Sequence, residues 1–157
     1  MHSDLSIAVL PFKNMSSDKE NEYFCDGITE EIINALAKIP SLKVTSRTSS
    51  FFFKDQDIPI IEIGNKLGVS TILEGSVRQA GDVLRITGQL IQAKDDYHFW
   101  SETWDRKMDN IFEIQDEISL ECKLRRMYTF RGKYHIMFLL GMCVVCTVTV
   151  PYRLQAA

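Results

Sequence analysis

Apolar residues in the first half of the chain follow two spacings, one typical of a strand and one typical of a helix. The run from Ile7 to Phe12 is short, apolar and bounded by polar residues, and it predicts a buried strand. Beyond it, apolar residues recur at every third or fourth position from Phe24 until Pro40, with charged residues between them. This second spacing predicts an amphipathic helix that packs on a sheet.

Start and stop signals bound this helix and a second one. Ser17 and Glu20 have the spacing of a capping box, so the first helix is expected to begin near Asp18. The second helix is expected to span about residues 59–67, because Pro59 suits a first turn and Gly68 suits a C-terminal cap.

Strand-like alternation fills most of the remaining chain up to residue 105. The segment from Leu42 to Ser46 predicts one strand between the two helices. Three more strands follow the second helix, over residues 69–78, 83–91 and 98–105, and Gly81 lies in a hairpin turn between the first two of them.

A final helix follows the last strand in this interpretation. Asp109 is placed to cap it, and its apolar stripe consists of Ile111, Ile114 and Ile118. The elements then follow the order β-α-β-α-β-β-β-α. This order predicts an α/β fold with helices packed on a sheet.

Several segments together resemble the TolB amino-terminal-like (FlgO-like) domain over about residues 5–120. Among them are IAVLPF (7–12), DGITEEIINAL (26–36), SRTSSF (46–51), LEGSVR (73–78) and QDEIS (115–119). The resemblance implies an anticodon-binding-domain-like fold, in which helices pack on a mixed β-sheet. It also implies a non-catalytic accessory module of bacterial proteins, in some of which it accompanies an adenylate-cyclase domain.

Charge divides the chain near residue 121. The first 121 residues carry 21 acids and 12 bases, a balance of −9, whereas residues 122–157 carry six bases and no acid. An acidic domain repels phosphates, so the sequence argues against nucleic acid as a partner. It also predicts two separate units, a domain over residues 5–120 and a basic apolar tail over residues 122–157.

The tail has three interpretations that stay open. The 19 residues from Tyr134 to Tyr152 carry no charged side chain, and as a helix they would be about 28 Å long, close to the width of a bilayer core. The tail is then a membrane anchor. Alternation from Val144 to Val150 suits an added strand instead, and the loss of all acids suits an unselected, frame-altered extension.

The segment from Ser46 to Ser50 is the first candidate contact site. Four hydroxyls and one guanidinium can recognise a peptide or a carboxylate, so Arg47, Ser49 and Ser50 are predicted to contact a ligand or partner. The alternative is a hydroxyl-rich strand end that satisfies its own backbone.

Two tryptophans form the second candidate. Trp100 and Trp104 share a strand face, and large rings dominate binding energy where they are exposed. Core packing is the alternative. Asp26, Glu30 and Glu31 also cluster along the first helix, and a solvated helix face is the preferred interpretation of them.

The sequence favours an interaction role over a reaction. It predicts no catalytic residue, no metal ligand and no cofactor, and the leading hypothesis is a protein- or peptide-interaction module of a membrane-associated regulatory or signalling protein. The alternative is a small-ligand sensor domain of a transcriptional or adenylate-cyclase-type regulator. The expected location is bacterial, either cytoplasmic or membrane-associated, and the tail contacts the membrane where its interpretation as an anchor holds.

Overall fold

A computed structural model describes residues 5–107 and 116–122 of the chain. Its strands are β1 (Ser6–Val9), β2 (Lys13–Asn14), β3 (Lys43–Val44), β4 (Thr71–Ala80), β5 (Val83–Gln92) and β6 (Tyr97–Lys107). Its helices are α1 (Glu20–Ala37), α2 (Arg47–Phe51) and α3 (Ile60–Leu67), and residues 116–122 are also helical. The predicted α/β fold is confirmed, and β2 and α2 are additions to the predicted order.

One mixed sheet organises these elements. Its strand order is β3-β1-β4-β5-β6, and β2 pairs with β4 beyond the end of β1. β3, β1 and β4 are parallel, whereas β4, β5 and β6 form an antiparallel meander. Gly81 lies in the turn between β4 and β5 with a φ of 62°, a conformation that glycine adopts at little cost.

The main core lies on one face of the sheet, here called the inner face. The predicted stripe of α1 packs there, with Ile28, Ile32 and Leu36 buried. The helical segment 116–122 adds Ile118 and Cys122 to the same core. The strands contribute apolar residues that alternate as predicted: Leu73, Val77, Leu84, Ile86 and Leu90. Burying each large side chain contributes about 1.5–3 kcal/mol.

The opposite face, here called the outer face, is covered by α3 at one end of the sheet. A second, smaller core forms there around Ile63 of α3 and Ile72 of β4. A Cβ on Gly64 would lie 2.5 Å from the Cβ of Ala93, so the missing side chain lets α3 approach the sheet closely. Gly68 ends α3 in the left-handed conformation, as predicted.

β1 and β2 are joined by one extra residue relative to their partner strand. Val9 pairs with Leu73 and Lys13 pairs with Ser76, so four residue steps on this side match three on β4. The extra residue resets the alternation of side chains. As a result Phe12 joins the inner core, and Lys13 lies on the outer side beside Ser76.

A threonine of α1 supports this irregular junction. The Thr29 hydroxyl accepts a hydrogen bond from the Phe12 N–H at 3.0 Å and donates to the Cys25 carbonyl at 2.8 Å. Both Thr29 and Phe12 are buried. The buried amide of Phe12, which a regular strand would pair, is therefore satisfied by a side chain.

The predicted capping box of α1 is wrong. The helix begins at Glu20, after an N-cap residue, Lys19, whose side chain makes no capping hydrogen bond. The Asp18 carboxylate accepts from the Glu20 N–H at 2.9 Å instead. An acidic side chain therefore satisfies a free donor at the start of the helix, where the positive end of the helix dipole favours it.

The predicted strand from Leu42 to Ser46 is shorter than expected. Only Lys43 and Val44 pair as β3, because Ser46 begins a helix. The Ser46 hydroxyl accepts a hydrogen bond from the Ser49 N–H at 3.3 Å and so caps α2. The cap predicted at Asp109 and the predicted tail beyond Cys122 lie outside the described residues.

Candidate functional site

A cleft of about 800 Å³ lies on the outer face, next to the end that α3 covers. Its floor is formed by the polar side chains of Glu74 and Ser76 on β4 and of Thr87 and Gln89 on β5. One wall is the β1–β2 junction, residues 10–15, and the other is residues 53–58 with the start of α3. The volume lies in the range of about 300–1,000 Å³ that is typical of ligand sites.

The floor of the cleft follows directly from strand register. Glu74 pairs with Gln89 and Ser76 with Thr87, so these four side chains project from the same face of the sheet. The polar face extends onto β6, where the Thr87 and Thr103 hydroxyl oxygens lie 3.2 Å apart. The uncovered part of the outer face is therefore a hydroxyl- and amide-rich surface.

Gly75 sets the distance between the β1–β2 wall and the sheet. A Cβ at this position would collide with the Phe12 ring and would lie 2.5 Å from the Thr87 carbonyl oxygen. Phe12 therefore packs directly on the backbone of β4. This close packing holds the wall beside the floor residues.

The second wall is held by an ion-paired lysine. The Lys54 ammonium lies 2.8 Å from the Asp26 carboxylate and 3.1 Å from that of Glu22, both on α1. Partial burial opposes the charge of Lys54, but its hydrogen bonds to Asp26 and Glu22 outweigh this and raise its pKa. Asp55 follows with a φ of 59°, which turns the chain along the cleft.

A second cation joins the same strip of α1. The Arg47 guanidinium lies 3.0 Å from the Glu30 carboxylate and 4.2 Å from the centre of the Phe51 ring. Asp26 and Glu30 thus form ion pairs with Lys54 and Arg47. The interpretation of this cluster as a solvated helix face did not include these ion pairs. The four-residue spacing of Glu22, Asp26 and Glu30 was the available signal.

The residues predicted as contacts in the segment from Ser46 to Ser50 lie on α2. Ser49 contributes its N–H to the capping hydrogen bond, and Ser50 is fully buried. Arg47 keeps about half of its side chain exposed while bound to Glu30. None of the three lines the cleft. Contact between these residues and a partner stays a prediction.

The two predicted tryptophans lie on the inner face, on the other side of the sheet from the cleft. Trp100 and Trp104 are 6% and 7% exposed, and their ring centres are 5.7 Å apart. Both rings pack over Gly88, whose missing side chain leaves room for them. Little ring area is left for a partner, and partner contact through these residues stays a prediction.

The inner core also contains two free thiols. Burial, reinforced by nearby Asp26, raises the pKa of Cys25 to about 11, and burial with nearby Glu121 raises that of Cys122 to about 12. Both thiols therefore stay protonated at neutral pH. Residues 5–107 and 116–122 contain no group of three His, Cys, Asp or Glu side chains arranged to hold a metal ion.

The helices of the described ranges are too short or too polar to cross a bilayer. Across residues 5–107 and 116–122, no helix combines the length and the apolar character that a crossing requires. The predicted anchor, Tyr134 to Tyr152, lies beyond these ranges.

Comparison with known families identifies the family of this chain. Residues 3–121 match the family described as the HilA/YgeH-like transcriptional regulator, second domain. The match covers well over half of the chain, and the chain belongs to this family. The family is one of regulator domains, in agreement with the prediction of a non-catalytic module.

A relative in Rhizobium meliloti (strain 1021) carries a similar segment. It is named "Putative adenylate cyclase 3", and it is 48% identical over 114 residues. The matched segment makes up 73% of this chain but only 19% of that protein. The chain therefore spans about a fifth of the length of this relative.

Solved structures share the fold at low sequence identity. The LpoB C-terminal domain from Salmonella enterica aligns with a TM-score of 0.54 and 18% identity, over 69% of this chain and 86% of that one. Lipoprotein GNA1162 from Neisseria meningitidis aligns with a TM-score of 0.56 and 14% identity, over 80% of this chain and 99% of that one. TolB from Acinetobacter baumannii aligns with a TM-score of 0.55 and 14% identity, over 80% of this chain and 28% of that one. The predicted TolB-like fold is confirmed.

Proposed function

We propose that this domain is a non-catalytic interaction module of a bacterial regulatory protein and that it binds a protein or peptide segment in the outer-face cleft. The cleft is the observation that carries the proposal. It combines an open polar floor, at Ser76 and Thr87, with walls that the Phe12–Gly75 contact and the Lys54 ion pairs hold in place. A preformed cleft of this kind binds without paying for its own ordering.

The comparisons support an accessory role. The family is the second domain of a transcriptional regulator, and a 48% identical segment occupies a small fraction of a protein named as a cyclase. One module beside two different neighbours suits a part that receives or relays a signal, since its own chemistry need not match either neighbour. The host is proposed to act in signalling, in the cytoplasm or at the membrane, and kinship with FlgO-like domains stays a prediction.

Site-specific photo-crosslinking tests the proposal. A photoreactive phenylalanine analogue is placed in the full chain at Met15, which is 54% exposed on the cleft wall. Asp82 in the turn after β4 is the matched control, because it is exposed and lies outside the cleft lining. We expect a protein adduct from Met15 and none from Asp82. No adduct at either position, or equal adducts at both, would contradict the proposal.

A small-ligand sensor is the second candidate, and the cleft volume favours it. A ligand that binds only the folded state at 100 times its Kd stabilises the fold by about 2.7 kcal/mol. A thermal-shift screen of metabolites measures this. A hit that is lost when Thr87 is replaced by Leu would support a sensor in the cleft, away from the predicted segment from Ser46 to Ser50. Uniformly unchanged melting temperatures would reject it.

A further inference from the structure

The charge of the cleft identifies the chemistry of its occupant. Four carboxylates line it, those of Glu22, Asp55, Asp57 and Glu74, against the ammonium groups of two lysines, a balance of −2. Asp55 and Asp57 are exposed on the wall, and Glu74 is half-buried on the floor. Carboxylates therefore lie on both the wall and the floor of the cleft.

The two lysines offset the charge of the cleft only in part. Lys54 is held by Glu22 and Asp26 at 3.1 and 2.8 Å, so its charge is already neutralised by α1. Lys13 is exposed at the other wall. Neither lysine forms an ion pair with Asp55, Asp57 or Glu74 within residues 5–107 and 116–122. These three carboxylates line the space between the walls and are open to a cationic ligand.

Apolar side chains occupy the same cleft. Leu10 and Met15 lie on one wall, and Ile58 and Ile60 lie on the other. Met15 is largely exposed, whereas Leu10, Ile58 and Ile60 are half-buried and keep surface toward solvent. An occupant that covers them gains about 25 cal/mol for each Å² of apolar surface buried.

We infer that the cleft takes a basic peptide segment of a partner protein, in which lysine or arginine side chains flank one large apolar side chain. This inference rests on the proposed function and specifies its partner. The basic side chains pair with Asp57 and Glu74, and the apolar side chain packs between Leu10 and Ile60. Acidic peptides and nucleic acids are repelled by the same carboxylates.

Fluorescence anisotropy with two designed probes tests the inference on the full chain. The first probe is a fluorescein-labelled peptide of sequence KSKFKSK, and the second is its acidic counterpart ESEFESE. We expect saturable binding of the basic probe, weakening as salt is raised, and at least about tenfold weaker binding of the acidic probe. Equal affinity for both probes, or no binding of the basic probe, would overturn the inference.

Paired variants show whether the cleft is responsible. Asp57→Asn combined with Glu74→Gln removes two charges from the cleft and is expected to weaken the basic probe by about 3- to 30-fold. Asp82→Asn combined with Asp95→Asn removes the same charge from two turns and is expected to change affinity by less than about twofold. Equal losses in both variants would show non-specific attraction to an acidic domain and would overturn the inference.

The two proposals can fail separately. If Met15 captures a protein partner but the basic probe does not bind, the inference about basic chemistry is wrong and the interaction function stands. If the basic probe binds with the expected charge dependence and no metabolite raises the melting temperature, the interaction function and its basic chemistry both stand. If neither binds, both proposals fall. Circular dichroism on each variant tests whether the fold is retained.

Discussion

The two faces of the sheet are built from the same strands but treat their side chains differently. On the inner face, α1 and the segment 116–122 cover fully buried residues such as Leu84 and Ile86. On the outer face, the neighbouring residues Arg85 and Thr87 remain partly or fully exposed. The period-two alternation of a strand thus buries the side chains of one face and leaves part of the other face open to solvent.

The difference shows where sequence change is tolerated in this fold. A change on the inner face creates a cavity or a clash in a closely packed interior, whereas a change on the uncovered outer face alters mainly what the cleft presents. Substitutions on adjacent residues of β5 separate these roles directly.

The largest expected difference comes from Ile86 and Thr87. Ile86→Ala removes a fully buried side chain from the inner face and should lower the free energy of unfolding by about 2–5 kcal/mol. Thr87→Ala, one residue further on the outer face, should change it by about 0.5 kcal/mol or less. Urea denaturation followed by circular dichroism measures both. Similar losses for the two variants would mean that the outer face is also covered.

A smaller loss is expected at Gly75, where the Phe12 ring packs on the backbone of β4. Gly75→Ala forces a Cβ into the Phe12 ring and should cost about 1–3 kcal/mol. Gly27→Ala is the control, because a Cβ there meets nothing within 4 Å and alanine favours the helix by about 0.5–1 kcal/mol. Chemical denaturation of both variants measures the change in unfolding free energy, which should be a loss for Gly75→Ala and a gain for Gly27→Ala. A neutral Gly75→Ala would disprove the tight packing of the β1–β2 wall.

Alkaline pH should weaken the inner face through its thiols. The pKa of Cys25 is raised from 9.0 to about 11, so the folded state holds the proton that the unfolded state releases. The unfolding free energy should therefore fall between pH 9 and pH 11, by about 1.4 kcal/mol per pH unit for each such thiol. The Cys25→Ala variant should show a shallower fall, and an unchanged slope would argue against burial of this thiol.

The smallest effects concern ion pairs. Lys54→Met removes the partly buried cation between Asp26 and Glu22 and should cost about 1 kcal/mol, less at about 1 M salt. Arg85→Gln breaks the exposed pair with Asp105 on the outer face and should leave the melting temperature unchanged. Thermal melts at low and high salt measure both effects. A larger fall in melting temperature for Arg85→Gln than for Lys54→Met would contradict the prediction.

Periodicity is enough to predict the inner face. The stripe of α1 and the alternation of β4 and β5 repeat over many residues, so each is visible in the sequence alone. The short elements are not. β2 is only two residues long and closely follows Pro11. α2 is five residues long and rich in hydroxyl side chains, and the capping hydrogen bonds of these side chains compete with the strand that the alternation suggests.

The cleft could not be predicted for a different reason. Most of its lining comes from four segments that are distant in the sequence, around Leu10, Asp55, Ser76 and Thr87, and no spacing along the chain links them. Likewise, the four-residue spacing of Glu22, Asp26 and Glu30 is visible, but nothing in it shows that Lys54 and Arg47 return to pair with them. Local patterns predict faces, whereas a site depends on which segments tertiary packing brings together.

The extra residue at the β1–β2 junction makes the cleft sensitive to chain length. If Pro11 were deleted while Lys13 kept its pairing with Ser76, three residue steps would match three on β4 and the extra residue would be gone. Phe12 would stay on the inner side and Lys13 on the outer side. Because an extra residue bends the strand that carries it, a single-codon deletion there would straighten the cleft wall without changing any residue that lines its floor.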